Sequence, residues 1–233
     1  MAKKRTPKPP QTRDLNRSII GLDDLARRPG TRIRRPVLIV CEGKKTEQIY
    51  LNALRSHYRL ATVEVEIHGE GAGPLAVVEQ AIELAERRRR NRKHGPTAMP
   101  AFAEIWCVFD REANNEPRDF RQAIRLAETH RIRLAVSNPA FEYWYLLHFI
   151  ETDRAFQHAD DVLVELRRPG RLVGYEKHHN VFAILREHTT NAYERAERLY
   201  DRCSARDDDQ FPNPSTLVHQ LIGGIIAMTP YYR

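Results

Sequence analysis

An α/β fold, with a parallel-rich sheet flanked by helices and a helical C-terminal region, is predicted by three features of the 233-residue sequence. Four short strand-like segments alternate with segments of helical periodicity, the order that builds a parallel sheet covered on both faces. Two of them, Val37–Cys41 and Ile105–Phe109, are apolar throughout, as strands buried on both sides are. The last third is more polar and carries helical periodicity alone. The expected organisation is a tail over 1–35, an α/β domain over 36–150 and a helical region over 151–233 packed on it.

Apolar residues make up 41% and charged residues 30% of the chain, which suits a soluble globular protein. No apolar run reaches the roughly 20 residues needed to span a bilayer, so no membrane partner is expected. The first residues are basic and proline-rich without an apolar core, unlike a secretory signal. Cys41, Cys107 and Cys203 are widely separated with no Cys-x-x-Cys, which argues against structural zinc and a disulfide framework and fits a reducing cytoplasm. The net charge of +7 is concentrated in residues 1–36, where eleven Lys or Arg face three Asp; the rest of the chain is close to neutral. Such a tail attracts phosphate backbones in a salt-sensitive way, or serves as a solubilising disordered arm. Apart from Ile19, Ile20, Leu22 and Leu25 it lacks apolar periodicity, and it reads as mostly disordered.

Val37–Cys41 is the first strand and reads as central and parallel. A helix follows, with Thr46 as the expected N-cap and Ile49, Tyr50, Ala53, Leu54 and Tyr58 as its buried stripe. Gly43-Lys44 invites comparison with a phosphate-binding loop, but that motif needs its first glycine where this chain has apolar strand residues. Val63–Ile67 alternates strictly and predicts a half-exposed strand near an edge. Gly69-Glu70-Gly71-Ala72-Gly73 is a loop, and Pro74 suits the first position of the next helix. That helix buries Leu75, Val78, Ala81, Ile82 and Ala85, then ends in Arg87, Arg88, Arg89 and Arg90, with Arg92, Lys93 and His94 beyond. Cations favour a helix C-terminus, but this many exceed what the dipole needs, so a phosphate-contacting patch is the second reading.

The strand Ile105–Phe109 ends in Asp110-Arg111-Glu112. In extended backbone, residues two apart point the same way, so the two carboxylates would form an oxygen-rich site suited to Mg²⁺. The alternative is a solvated loop with ordinary surface acids. A helix over Pro117–His130 with Phe120, Ile124 and Ala127 inward comes next, then a short fourth strand, Leu134–Val136. The following helix carries Phe141, Trp144 and Leu147 as core residues. Glu142 opens it, either favouring its dipole or facing the same cleft as Glu42 and Asp110.

Further helices are expected near 160–166, 181–187, 191–201 and 217–228, with a break at Pro169-Gly170. In the loop between the first two, Lys177 is a candidate phosphate contact. His178-His179 reads as a solvated pair, since adjacent residues face one ion poorly and no third His or Cys is suitably spaced.

In open parallel sheets ligands bind outside the carboxyl ends of the strands. Every predicted strand delivers polar residues there: Glu42; Glu70; Asp110 and Glu112; Ser137, Asn138 and Glu142. Lys44, Lys45 and Arg111 are at hand as counter-ions. Carboxylates gathered beyond their supply of cations repel unless a divalent ion sits among them, and phosphoryl chemistry is what such an ion serves best.

Four segments resemble the RloB-like proteins: Ile39-Val40-Cys41-Glu42-Gly43-Lys44-Lys45-Thr46-Glu47-x-x-Tyr50; Phe109-Asp110-Arg111-Glu112; Ser137-Asn138-Pro139-x-Phe141-Glu142-x-Trp144-x-Leu146-Leu147-His148-Phe149; and Asn213-Pro214-Ser215-Thr216. The resemblance runs from about Pro36 to Met228. It implies a Toprim-type domain, as in topoisomerases, primases and OLD-type nucleases, and a role in bacterial defence against phage. By that similarity Glu42, Asp110 and Glu112 would be catalytic and hold Mg²⁺ or Mn²⁺. Glu142 and Glu47 would be further ligands. Glu112 stands where the strict Toprim pattern has Asp, which leaves coordination geometry open.

The expected activity is metal-dependent cleavage of DNA or RNA, with Lys44, Lys45, Arg87, Arg88, Arg89, Arg90 and Lys177 on the polynucleotide. A defence-system partner protein such as an ATPase is implied as well. The competing readings are a non-catalytic module binding nucleic acid, a nucleotide or such a partner, and an enzyme acting on a nucleotide instead of a polymer.

Overall fold

The computed structural model describes residues 36–43, 45–67, 73–94, 100–111, 117–206 and 209–227. The basic tail, Lys44, Glu70 and Glu112 lie outside them.

Strand β1 (Val37–Cys41) occupies the middle of the sheet, every residue buried. Its neighbours are β2 (Val63–Ile67) on one side and β3 (Glu104–Asp110) on the other, both parallel to it. β4 (Arg133–Asn138) adds in parallel beyond β3, and a two-residue β5 (Ser215–Thr216) closes that side antiparallel. The order β2-β1-β3-β4-β5 makes a mixed, mostly parallel sheet. After β1 the chain moves outward to β2, then crosses back over β1 to β3. The crevice between the carboxyl ends of β1 and β3 is therefore the topological switch point, where open α/β sheets bind ligands.

Strand alternation divides the core in two. Val37, Ile39, Trp106, Val108 and Ala135 point to one face, which is covered by α1 (Thr46–His57) and the C-terminal helices. Leu38, Val40, Cys107, Phe109 and Val136 point to the other, covered by α2 (Pro74–His94) and α3 (Pro117–His130). The second face has a plain amphipathic cover: Val77, Val78 and Ala81 of α2 and Phe120, Ala123 and Ala127 of α3 are buried. The first is dense in aromatics. Tyr50, Phe141 and Tyr145 meet edge to face or tilted, with centroids 5.4–5.9 Å apart. Burying each such side chain contributes about 1.5–3 kcal/mol.

The mostly helical stretch after β4 comprises α4 (Glu142–Leu147), α5 (Ala159–Leu166), α6 (Phe182–Leu185) with a 3₁₀ turn over Arg186–His188, α7 (Thr189–Ser204) and α8 (Val218–Ile226). It shares one hydrophobic cluster with β1, β3 and α1, so no packing boundary falls at residue 150. Phe141, Trp144 and Leu147 are core residues. After α5 the chain turns through Gly170, whose φ of 81° lies in the left-handed region. The fourth strand is twice the predicted length, because Ser137 and Asn138 pair with Thr216 and Ser215. No helix of the described residues is long and apolar enough to cross a membrane.

The expected N-cap on α1 is corrected. Lys45 stands at that position without a side-chain cap, and Thr46 is the first helical residue. The Thr46 hydroxyl, one position inside the helix, donates to Glu142 Oε1 at 2.8 Å.

Candidate metal centre

The parallel pairing of β1 and β3 brings residues 42 and 110 together. Cys41 registers with Val108, and the Glu42 amide donates to the Val108 carbonyl at 3.0 Å. Asp110 follows Trp106 and Val108 in alternation, so its side chain emerges on the face covered by α1 and α4. Three other carboxylates act on it there. Burial first, then Glu47, Glu142 and Glu42 in that order, push the Asp110 carboxyl well above the usual 3.8, with Lys177 opposing.

Each of these groups is placed by a different element. Glu47 lies in the first turn of α1, buried, where the helix dipole favours an anion. Its carboxylate rests on Gly43: a Cβ at that position would collide with both Glu47 oxygens. The glycine in the turn after β1 thus makes room for an acid. Glu142, in the first turn of α4, is almost fully buried. Thr46 holds one of its oxygens, and Lys177 Nζ stands 3.9 Å from the same atom. Because the Thr46 proton is committed to Glu142, the Tyr175 hydroxyl donates to Thr46 Oγ1 at 3.3 Å. Tyr145 donates to the Thr46 carbonyl at 3.3 Å. The Tyr175 phenol is pushed up by burial and by Glu142, which keeps it a proton donor.

Of the residues singled out in the sequence, Glu42, Glu47, Asp110, Glu142 and Lys177 therefore lie near one another. Thr46, Tyr145 and Tyr175 complete the cluster; the sequence offers Thr46 only as a cap and gives the two tyrosines no role. Glu112 and Lys44 lie outside the described residues. Lys45 is exposed at the start of α1. Arg111 turns away: it pairs with Asp209 at 2.5 Å and donates to the Phe211 carbonyl at 2.8 Å. Ser137 and Asn138 are spent on structure, Ser137 Oγ lying 2.9 Å from Thr216 Oγ1 and Asn138 Nδ2 donating to the Phe211 carbonyl.

The arginine run lies elsewhere. Helix α2 runs back against the strands, so its C-terminal turns reach the opposite edge of the sheet. There Arg88 pairs with Glu64, donates to the Pro100 carbonyl at 2.8 Å and stacks on Phe102 at 4.1 Å. Arg90 pairs with Glu86 at 3.5 Å, while Arg87 and Arg89 are exposed. A strand of five to seven residues separates the two edges by about 17–23 Å.

A family model described as RloB-like protein matches residues 37–225, most of the chain. The chain belongs to the RloB-like family. In this family member the matched span runs from the first residue of β1 into α8 and contains every group of the acidic cluster. No curated protein and no solved structure matches the chain.

The donor set suits a hard divalent cation. Glu47, Glu142 and Glu42 lie near enough to Asp110 to raise its carboxyl, and a doubly charged ion is a partner that would relieve such repulsion. Oxygen donors alone favour Mg²⁺ or Mn²⁺ over zinc.

Proposed function

We propose that this RloB-like protein is a Mg²⁺- or Mn²⁺-dependent nuclease that hydrolyses phosphodiester bonds of DNA or RNA in bacterial anti-phage defence, on a Toprim-like domain. The observation that carries this reading is the convergence of Glu42, Glu47 and Glu142 on Asp110 at the switch point of the sheet, with the Asp110 carboxyl raised by burial and by those acids. A carboxyl raised by burial and by specific charged neighbours is a functional-site candidate on physical grounds.

Asp110 and Glu42 would hold the metal from adjacent strands, and Glu47 and Glu142 are the acids placed to complete the set. A bound ion of this kind supplies charge neutralisation at phosphate oxygens and a water of lowered pKa. Thr46 fixes one oxygen of Glu142, which leaves the other to face the cluster. Lys177 reaches Glu142 while staying half-exposed, and it would meet a phosphate from there. Tyr145 and Tyr175 close the inner side with hydroxyls that remain protonated. Purified protein incubated with labelled DNA and RNA, with and without Mn²⁺, is expected to cut one of them only with metal. Absence of metal-dependent cleavage, or full cleavage by Asp110→Ala, overturns the proposal.

The separation of the arginine run from the acids favours one competing reading, a module that binds nucleic acid or a partner, such as a defence ATPase, without turnover. It predicts salt-sensitive binding and unchanged activity in cells for Glu42→Ala.

A further inference from the structure

On the outer side of the turn that carries Lys177, three ligating side chains stand together that the acidic cluster does not use. Ligand atoms of Glu176, His178 and His179 all lie within 4.8 Å of one another, and all three residues are exposed. The His179 amide donates to the Glu176 carbonyl at 2.8 Å, closing a turn that brings the first and fourth residues to one side. His178 Nδ1 lies 3.3 Å from Glu176 Oε2. Two ligands sharing a tetrahedral ion at 2.0–2.2 Å stand roughly 3.3–3.5 Å apart, so this pair already has the spacing of an ion's coordination shell. The His178 and His179 rings meet edge to face at 4.5 Å. His179 Nδ1 sits 3.2 Å from the Glu176 amide, which holds its ring over the same turn. The sequence hides the site because its third ligand is a glutamate two residues before the histidine pair.

We propose that Glu176, His178 and His179 form a second metal site, one for a borderline transition ion of the Zn²⁺ class. Two imidazoles and one carboxylate are a donor set that Zn²⁺, Cu²⁺ and Ni²⁺ accept and that Mg²⁺ disfavours. Its chemistry is thus distinct from the all-oxygen cluster on the inner side. The two sites are mechanically joined. Lys177 lies between the ligands in sequence, with its Nζ 3.9 Å from Glu142 and its carbonyl 3.5 Å from the Thr46 hydroxyl. An ion on the outer side clamps the turn that presents Lys177 to the acids. The site does not depend on the nuclease reading, since its ligands are separate.

The test is titration of the metal-stripped, full-length protein with ZnCl₂ by calorimetry, and with Cu²⁺ by electron paramagnetic resonance. The expected result is one Zn²⁺ per chain and a Cu²⁺ signal split by two imidazole nitrogens. In a His178→Ala/His179→Ala variant the Zn²⁺ affinity falls by about tenfold or more, in the range seen when metal shells are altered. Asp110→Asn leaves it unchanged. Absence of 1:1 binding by the wild type, or a smaller loss in the double variant, overturns the proposal. A loss in Asp110→Asn equal to that in the double variant does so too, by placing the ion in the other pocket. All three ligands are exposed, so the variants are expected to fold, and circular dichroism checks this.

Discussion

Glu165 and Asp110 are both acids enclosed by charge, and they are enclosed in opposite ways. Glu165, buried at the end of α5, meets Arg171 at 2.8 Å, Arg168 at 3.0 Å and Arg154 at 3.1 Å. The Arg171 hydrogen bond first, with the neighbouring guanidinium charges, holds its carboxyl below the usual 4.5. Asp110 is surrounded mainly by other acids and is held above its usual value. One arrangement is complete in itself and stabilises the fold. The other gathers like charge around one carboxyl, which the proposed cation would relieve.

The largest expected effect tests the Asp110 side. Asp110→Ala should lower metal-dependent cleavage by more than the roughly 10–100-fold typical of residues that only support a ligand. Glu165→Gln should leave the rate per folded molecule and the Mn²⁺ affinity unchanged. Stability should respond in the reverse pattern. Glu165→Gln is expected to cost about 1–3 kcal/mol, as loss of charged hydrogen bonds does. That corresponds to roughly 2–4 °C of melting temperature per kcal/mol for a chain of this size. Asp110→Asn in metal-free buffer should instead raise the melting temperature, and added Mn²⁺ should stabilise the wild type but not this variant.

Unfolding followed at several pH values sharpens the contrast further. The raised carboxyl of Asp110 leaves its folded-state contribution intact below pH 3.8 and weakens it as pH rises toward the folded value. The advantage of Asp110→Asn should therefore grow with pH. The depressed carboxyl of Glu165 contributes stability above pH 4.5 that is lost as pH falls through the folded value. The penalty of Glu165→Gln should therefore shrink in acid. If the two pH profiles share a sign, the comparison fails.

The smallest effect expected is that of Gly43→Ala. Its methyl group displaces the flexible Glu47 carboxylate. Cleavage should fall by about tenfold or less, with melting temperature nearly unchanged.

How much of this was legible in the sequence follows from the range of the interactions involved. β1 and β3 are continuous apolar runs, and their burial in the sheet centre is written in their composition. Glu42 and Asp110 close those runs, so topology alone made them neighbours. β5 has two residues and no pattern of its own; it exists because β4 offers an edge. Thr46 looked like a cap because it precedes a helical run. The acceptor that claims its hydroxyl is 96 residues away, and no local signal reveals it. The arginine run was visible as charge, but which end of the sheet it occupies depends on the direction of α2. Likewise Arg111 read as a counter-ion for its neighbour until Asp209 proved closer in space.

β5 also has a consequence for synthesis. Residues 215 and 216 are the last to join the sheet, and they pair with the carboxyl end of the outer edge of β4. During translation that strand emerges nearly eighty residues earlier, with its hydrogen-bonding groups unpaired and open to another chain. At ribosomal speeds of roughly 5–20 residues per second the bare edge persists for several seconds. Nascent chains, and forms truncated before residue 215, should accordingly aggregate far more readily than the finished protein.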